Sequence, residues 1–407
     1  MITTVEKIGR IRIHTNLPSQ SIGKIVSSGM YVHEDTPIED LLTLFQDSKE
    51  EIPAIGVVNN ELRGKGAIVR KELVTLLSRP FGREVMKKRP VKKVASETRS
   101  FLQNLHIFSV SDDLDKAIKE GSDEFFLLHD RDGRFQGLFS TQDLMIYLSN
   151  LTQEDITLAH NLQTRMVKER LSVLTADIEV AGSANTAKGV GGDFYSVKKI
   201  TAKDWILSLC DVSGKGVAAS IITAMLYGII ETFEFRRGLT EFVKRLNHSV
   251  FSTFNAEKYL TGVFLLFDES NSKIKILDMG HSFVTLLRDG RIRSIESSEK
   301  NLPVGITPDL DPGVIGLTLK RGDIMVLVTD GLTEQQNESG EEYPIKRLYH
   351  ILTEYSQESL EELRERILDD FHSFKEDAPY HDDVTFMLIR YPHEEVLEED
   401  IEWEKIE

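Results

Sequence analysis

A single cysteine, Cys210, stands in 407 residues, so no internal disulfide framework can exist and the chain suits a reducing compartment. Positive charge is in short supply: 49 Lys and Arg face 66 Asp and Glu, a formal net charge of −17 that argues against a nucleic-acid footprint. No apolar run approaches 18 residues without charges, and the first residues lack a signal-peptide apolar region. A cytoplasmic protein with no membrane partner is the expectation. What is present, 40% hydrophobic and 28% charged residues, is enough to build cores, and the length suggests two or three domains.

The stretch that organises the chain is Asp211-Val212-Ser213-Gly214-Lys215-Gly216, which ends the apolar run Trp205 to Cys210. Such a run reads as a buried strand that delivers a carboxylate to the end of a sheet, and a helical pattern, Val217 to Phe235, follows it. Asp193 after Gly191-Gly192, Asp330 after Ile324 to Val328, and Asp382-Asp383 before Val384 to Ile389 have similar settings. Two carboxylates about 4 Å apart repel by roughly 4 kcal/mol at an effective dielectric near 20, so several converge only around protons or cations. Oxygen ligands with no accompanying Cys or His set point to Mg²⁺ or Mn²⁺. Two such ions sharing a bridging water can present hydroxide to phosphorus.

Val190-Gly-Gly-Asp193-Phe-Tyr, Asp211-Val-Ser-Gly-Lys-Gly216, Met279-Gly-His281, Leu302-Pro-Val-Gly305, Thr329-Asp-Gly-Leu-Thr-Glu334 and Asp382-Asp-Val-Thr385 occur in one order. On these motifs the region from Asp177 to Arg390 resembles the metal-dependent serine/threonine phosphatases of the PPM, or protein phosphatase 2C, family, in the bacterial sporulation stage II protein E branch. The resemblance implies that Asp211 bridges two Mn²⁺ or Mg²⁺ ions and that Asp330 and Asp382 hold one of them. Asp193 and the backbone carbonyl of Val212 would serve the other, with Asp383 behind the ligands. The chain departs from the family at Ser196, where Asp is common, and at Ser282-Phe283-Val284, where Asn-Pro-Pro is common; neither position is a metal ligand. Each Asp taken singly also fits a turn former or helix cap. His281 is expected to orient or screen the site, and Cys210 to be a small buried hydrophobe.

The first 150 residues hold an imperfect duplication at an offset of 71: Gly66 falls on Gly137, Glu72 on Asp143 and Leu73 on Leu144. Each half reads as a polar start, a helix, two strands joined by a turn and a closing helix. This resembles a tandem cystathionine-beta-synthase (CBS) pair, which implies an adenine nucleotide as ligand. The second repeat ends in Gly137-Leu-Phe-Ser140-Thr-Gln-Asp143, where the family's Ser approaches phosphate and its Asp accepts from the ribose hydroxyls; the first repeat has Val69 and Glu72 instead. The same Ser-x-x-acid spacing also makes a helix capping box. From Thr141 to Leu174 there is no Gly or Pro, and Leu144, Leu148, Leu151, Leu158, Leu162 and Met166 approximate a seam through which two copies could pair.

The expected architecture is α+β: a tandem CBS domain of βαββα repeats over 1–150, a helical linker over 141–175, a PPM-type two-sheet sandwich flanked by helices over 176–392, and an acidic tail over 393–407. The expected function is a phosphoserine/phosphothreonine protein phosphatase under control of the CBS ligand, with anti-sigma-factor antagonists as the substrate class the family suggests. The alternative is a nucleotide-sensing binding protein with a phosphatase-like domain that no longer turns over.

Overall fold

The duplication is structural. In the computed structural model, which describes residues 5–12, 17–48, 51–120, 124–187, 189–295 and 300–392, the first repeat follows strand β1 (Ile8–Arg10). It comprises β2 (Met30–His33), α1 (Ile38–Asp47), β3 (Ala54–Val58), β4 (Gly64–Val69) and α2 (Arg70–Leu77). A short helix α3 (Gly82–Met86) leads to the second repeat: β5 (Ser100–Leu102), α4 (Ile107–Asp113), α5 (Asp115–Lys119), β6 (Phe125–His129), β7 (Phe135–Ser140) and the start of α6 (Thr141–Met166). In both repeats the first strand runs parallel to the second and the third antiparallel to it. Even the irregularity repeats: the register slips between Val57 and Val58 in one sheet and between Leu128 and His129 in the other. Gly66 (φ 154°) and Gly137 (φ 145°) sit beside these bulges in backbone that a side chain rarely tolerates.

Each repeat has its own core, Val32, Leu41, Ile55 and Ile68 in the first and Ile107, Phe126, Leu128 and Phe139 in the second. Tyr31, Val58, Leu127 and Phe135 belong to a third cluster that joins them. Full burial of such side chains contributes roughly 1.5–3 kcal/mol apiece, before the entropy of ordering is set against it.

The chain divides into two compact units, 1–154 and 155–407, and the division falls inside α6. The helix expected over 141–175 ends at Met166, because the next segment follows a different period. In β8 (Arg170–Leu174) residues 171 and 173 are half-buried while 170, 172 and 174 are exposed, the alternation of an edge strand. The seam is shorter too: Leu144 is buried in the second repeat's core, whereas Leu158 and Leu162 are 59% and 50% exposed.

The C-terminal unit continues with β9 (Glu179–Asn185), β10 (Phe194–Lys199), β11 (Asp204–Val212), α7 (Val217–Thr232), α8 (Leu239–Phe254), β12 (Leu260–Asp268), β13 (Lys273–Met279), β14 (Val284–Arg288) and β15 (Arg291–Ser294). It closes with β16 (Ile315–Thr318), β17 (Ile324–Val328), α9 (Asp330–Thr333), α10 (Ile345–Glu354), α11 (Leu360–Lys375) and β18 (Val384–Arg390). Two antiparallel sheets form, ordered β10-β11-β12-β13-β16 and β15-β14-β17-β18-β9-β8. Alternation along the strands explains the layers. Leu207 and Leu209 of β11 meet Met325, Leu327 and Met387 in the core between the sheets. Ile206 and Cys210 turn the other way, toward Ala219, Ile222 and Phe242 of α7 and α8. Val326, Phe386 and Leu388 likewise face Leu348, Leu363 and Ile367 of α10 and α11. The order is therefore helices, sheet, sheet, helices. The tail expected over 393–407 lies outside the described residues.

Candidate active site

Strands of both sheets deliver their acids to one end of the sandwich. Asp211 lies inside β11, opposite Thr261 of β12, and Val212 closes the strand. Asp193 immediately precedes β10, Asp330 opens α9 directly after β17 and Thr329, and Asp382 and Asp383 immediately precede β18. The turn after β17 needs its glycine: a Cβ on Gly331 would lie 1.9 Å from the carbonyl oxygen of Asp383, so only a bare backbone lets these two strand ends meet.

The acids feel one another. Burial, then the charges of Asp330, Asp382 and Asp383, push the Asp211 carboxyl up to about 7, with Lys215 opposing. Asp193, 5% exposed, is driven well above the usual carboxylate range by burial first and Asp211 second. Burial, Asp330, Glu342 and Asp382 also raise Glu334.

The carboxylates adjoin without forming a closed ligand shell: among the described residues, no three His, Cys, Asp or Glu side chains stand arranged to hold a metal ion. Each of three acids has another partner. Asp382 is paired with Lys215 at 3.0 Å, and the same Nζ donates to the carbonyl of His381 at 2.6 Å. Asp193 Oδ2 accepts from the Thr329 hydroxyl at 2.9 Å. Buried Asp383 accepts from the backbone N–H groups of Ala187 (2.8 Å) and Gly192 (2.6 Å), with that of Asp193 at 3.4 Å. Like charges at this density cannot close up without a cation between them. The Val212 carbonyl meets the Gly191-Gly192 loop, since a Cβ on Gly192 would fall 2.9 Å from its oxygen.

His281, 6% exposed, donates from Nε2 to the carbonyl of Val328 at 2.7 Å, so it anchors the end of β17 just ahead of Thr329. Burial pushes its pKa down. Cys210 is fully buried in a strand, and burial pushes its thiol up, away from thiolate chemistry. The donor set is thus all hard oxygen, and Asp211 is a group that a divalent cation would return to its charged form.

Ser140 and Asp143 bond to each other. Asp143 Oδ2 accepts from the Ser140 backbone N–H and hydroxyl, both at 2.7 Å, and Ser140 Oγ accepts from the Asp143 N–H at 3.1 Å, a reciprocal capping box at the start of α6. In the first repeat a cavity of about 590 Å³ borders Val69, Lys71, Glu72 and Arg79. Three side chains at the phosphatase-like end escaped the sequence reading. Lys215 and Thr329 lay within motifs whose acids drew the attention, and Gln163 carries no local signal at all.

Comparison with known proteins bears on the same strands. The family model for stage II sporulation protein E matches residues 201–392. Residues 201–392 of this chain are similar to that family, and the chain is a phosphatase. Among curated relatives, the phosphoserine phosphatase RsbU of Bacillus subtilis (strain 168) is 26% identical over 243 residues, covering 58% of this chain and 70% of RsbU. The phosphoserine phosphatase RsbP of the same organism is 22% identical over 244 residues, 58% of each protein. Stage II sporulation protein E of B. subtilis is 25% identical over 219 residues, but the chain spans only 26% of it. The SiaA-PP2C domain of Pseudomonas aeruginosa shares the fold, with a TM-score of 0.50 at 16% identity over 60% of this chain and 98% of that domain. The family match leaves residues 1–200 of the phosphatase chain uncovered. Among the described residues, no helix is long and apolar enough to cross a membrane.

Proposed function

We propose that the phosphatase acts on phosphoserine or phosphothreonine of a regulatory protein in the cytoplasm, using two Mn²⁺ or Mg²⁺ ions, under control of a tandem CBS sensor. The observation that carries this reading is the gathering of Asp193, Asp211, Asp330 and Asp382 at neighbouring strand ends, where Asp211 feels the charges of Asp330 and Asp382. Asp211, Asp330 and Asp382 would hold one ion, and Asp193, Asp211 and the Val212 carbonyl the other. When bound, such ions acidify a water and neutralise phosphoryl oxygens.

The chain's own residues then have separable tasks. Asp383 takes up the N–H groups of the Asp193 loop and leaves the ligands to the four acids. Thr329 fixes the rotamer of Asp193. Lys215 pairs with Asp382, and with a cation held there its ammonium would be available to a phosphate oxygen. The family suggests anti-sigma-factor antagonists as the substrate class, and the relatives' names, phosphoserine phosphatases, support phosphoserine.

For the N-terminal unit, the repeated β-α-β-β-α order and the shared bulge support a CBS pair. An adenine nucleotide at Ser140 and Asp143 would have to exchange their mutual bonds for bonds to ribose and phosphate. Leu158 and Leu162, exposed on α6, are the residues through which a homodimer would form.

The test is hydrolysis of p-nitrophenyl phosphate and of a phosphoserine peptide by the purified chain in Mn²⁺, Mg²⁺ or chelator, with and without AMP or ATP. Metal-dependent release of phosphate is expected, with a rate that changes on adding nucleotide. The alternative is a nucleotide-sensing binding protein without turnover, in which Lys215 stays on Asp382. Failure to hydrolyse either substrate at any metal concentration would establish that one instead.

A further inference from the structure

Gln163 lies near the end of α6, 4% exposed, while Leu162 beside it is 50% exposed. A carboxamide carries a donor and an acceptor in one plane, and here it pairs with both the N–H and the carbonyl of one residue, Gly191. Its Oε1 accepts from the Gly191 N–H at 2.9 Å and its Nε2 donates to the Gly191 carbonyl at 2.7 Å. Both bonds are buried, so any side chain that cannot make them leaves buried backbone groups unpaired.

Gly191 begins the run Gly191-Gly192-Asp193, and the other side of that run is held by Asp383 through the N–H groups of Gly192 and Asp193. No slack exists between the two grips: a Cβ on Gly191 would stand 2.5 Å from Asp383 Oδ2. The loop from β9 to β10 is therefore clamped between one helical amide and one carboxylate at a strand end, and the residue it presents is Asp193.

We infer that Gln163 is a positioning residue that fixes where Asp193 stands and so tunes divalent-cation binding at the phosphatase site. The inference rests on the metal-dependent reading above. Gln163 touches neither substrate nor cation; it acts through the backbone of Gly191. Glutamate in its place keeps the acceptor for the Gly191 N–H and loses the donor to its carbonyl. Methionine keeps the length and loses both.

The experiment is calorimetric titration of the full chain with Mn²⁺, alongside hydrogen exchange of the 189–193 segment without metal. For Gln163→Met, Mn²⁺ affinity should fall about 10- to 100-fold, the usual cost of removing an outer support. The amides of that segment should exchange faster, and KM for p-nitrophenyl phosphate should hold while the Mn²⁺ needed for half-maximal rate rises. Gln163→Glu should fall between Met and wild type, and it carries the test should the methionine variant not fold. Thr164→Ala, on the exposed side of the same helix, should match wild type in all three readouts. Wild-type Mn²⁺ affinity and exchange in a folded Gln163→Met or Gln163→Glu protein would overturn the inference. Absence of Mn²⁺ binding in the wild type would instead overturn the metal-dependent reading on which it stands.

Discussion

Asp143 lies just past strand β7 and Asp193 just ahead of strand β10, yet their carboxylates are accommodated in opposite ways. Asp143 finds its partners three residues away, at the backbone and hydroxyl of Ser140, and the bond closes a helix end. Asp193 finds its hydroxyl partner on Thr329, 136 positions along the chain, and faces Asp211 and Asp383 besides. A locally satisfied acid is a structural fixture with modest energy. Acids gathered from distant strands oppose one another, and the fold keeps them together because two sheets and their flanking helices hold the strand ends in place. The difference teaches where to look for chemistry: in carboxylates whose environment leaves them in need of a cation, rather than in every carboxylate beside a turn.

The sharpest break of this contrast is Asp211→Ala. It removes the acid that stands among Asp330, Asp382 and Asp383, and turnover should fall to the level seen in chelator, well beyond the roughly 10- to 100-fold typical of an outer-shell change. The protein should remain folded, and a relieved cluster should unfold no more readily than wild type in urea. Steady-state kinetics with Mn²⁺, together with urea titration, check both halves; near-normal turnover in the folded variant refutes the cation-centred reading.

Next in size is an insertion of Gly-Gly after Thr152, within α6. Helix interiors tolerate glycine poorly, at about 1 kcal/mol each, so the helix should break while the N-terminal repeats and the carboxylate site persist. Coupling between nucleotide and phosphatase rate, typically about 1–3 kcal/mol or roughly 5- to 150-fold, should vanish with both separate activities retained. A dose-response of rate against AMP or ATP reads this directly, and an unchanged response would place the coupling outside α6.

The smallest effect is expected at the locally satisfied acid. Asp143→Ala should cost about 1 kcal/mol of stability through the lost cap, leave basal phosphatase turnover unaltered and weaken nucleotide binding. Chemical denaturation and calorimetry with AMP measure the two. An unchanged nucleotide affinity would direct attention to the cavity beside Val69 and Glu72 in the first repeat.

Legibility followed burial. Strands β11, β17 and β18 are buried on both faces, so their sequences are continuous apolar runs that announce themselves. Strand β9 is as central, paired with β18 along its length, but its Ala181, Gly182 and Ser183 are small and give no periodic signal. Strand β8 hid within the glycine-free segment that read as helix, because Leu171 and Val173 suit a helix face as well as an edge strand until pairing with β9 decides. The duplication in the first 150 residues was legible because glycines at bulges and leucines in cores recur at a fixed offset.

The sequence alone determined which residue types stand at the strand ends, since apolar runs of strand length and the turns that stop them are local properties of the chain. It marked Cys210 as a buried hydrophobe for the same reason, since it lies inside an apolar run. Only the tertiary structure decided that Asp383 grips the Asp193 loop while Asp382 pairs with Lys215, although the two acids are adjacent in sequence. It alone joined Gln163 to Gly191 across 28 positions. These are choices of direction and distance, fixed by how two sheets pack and which backbone groups that packing leaves unpaired, and no local pattern of residues encodes them.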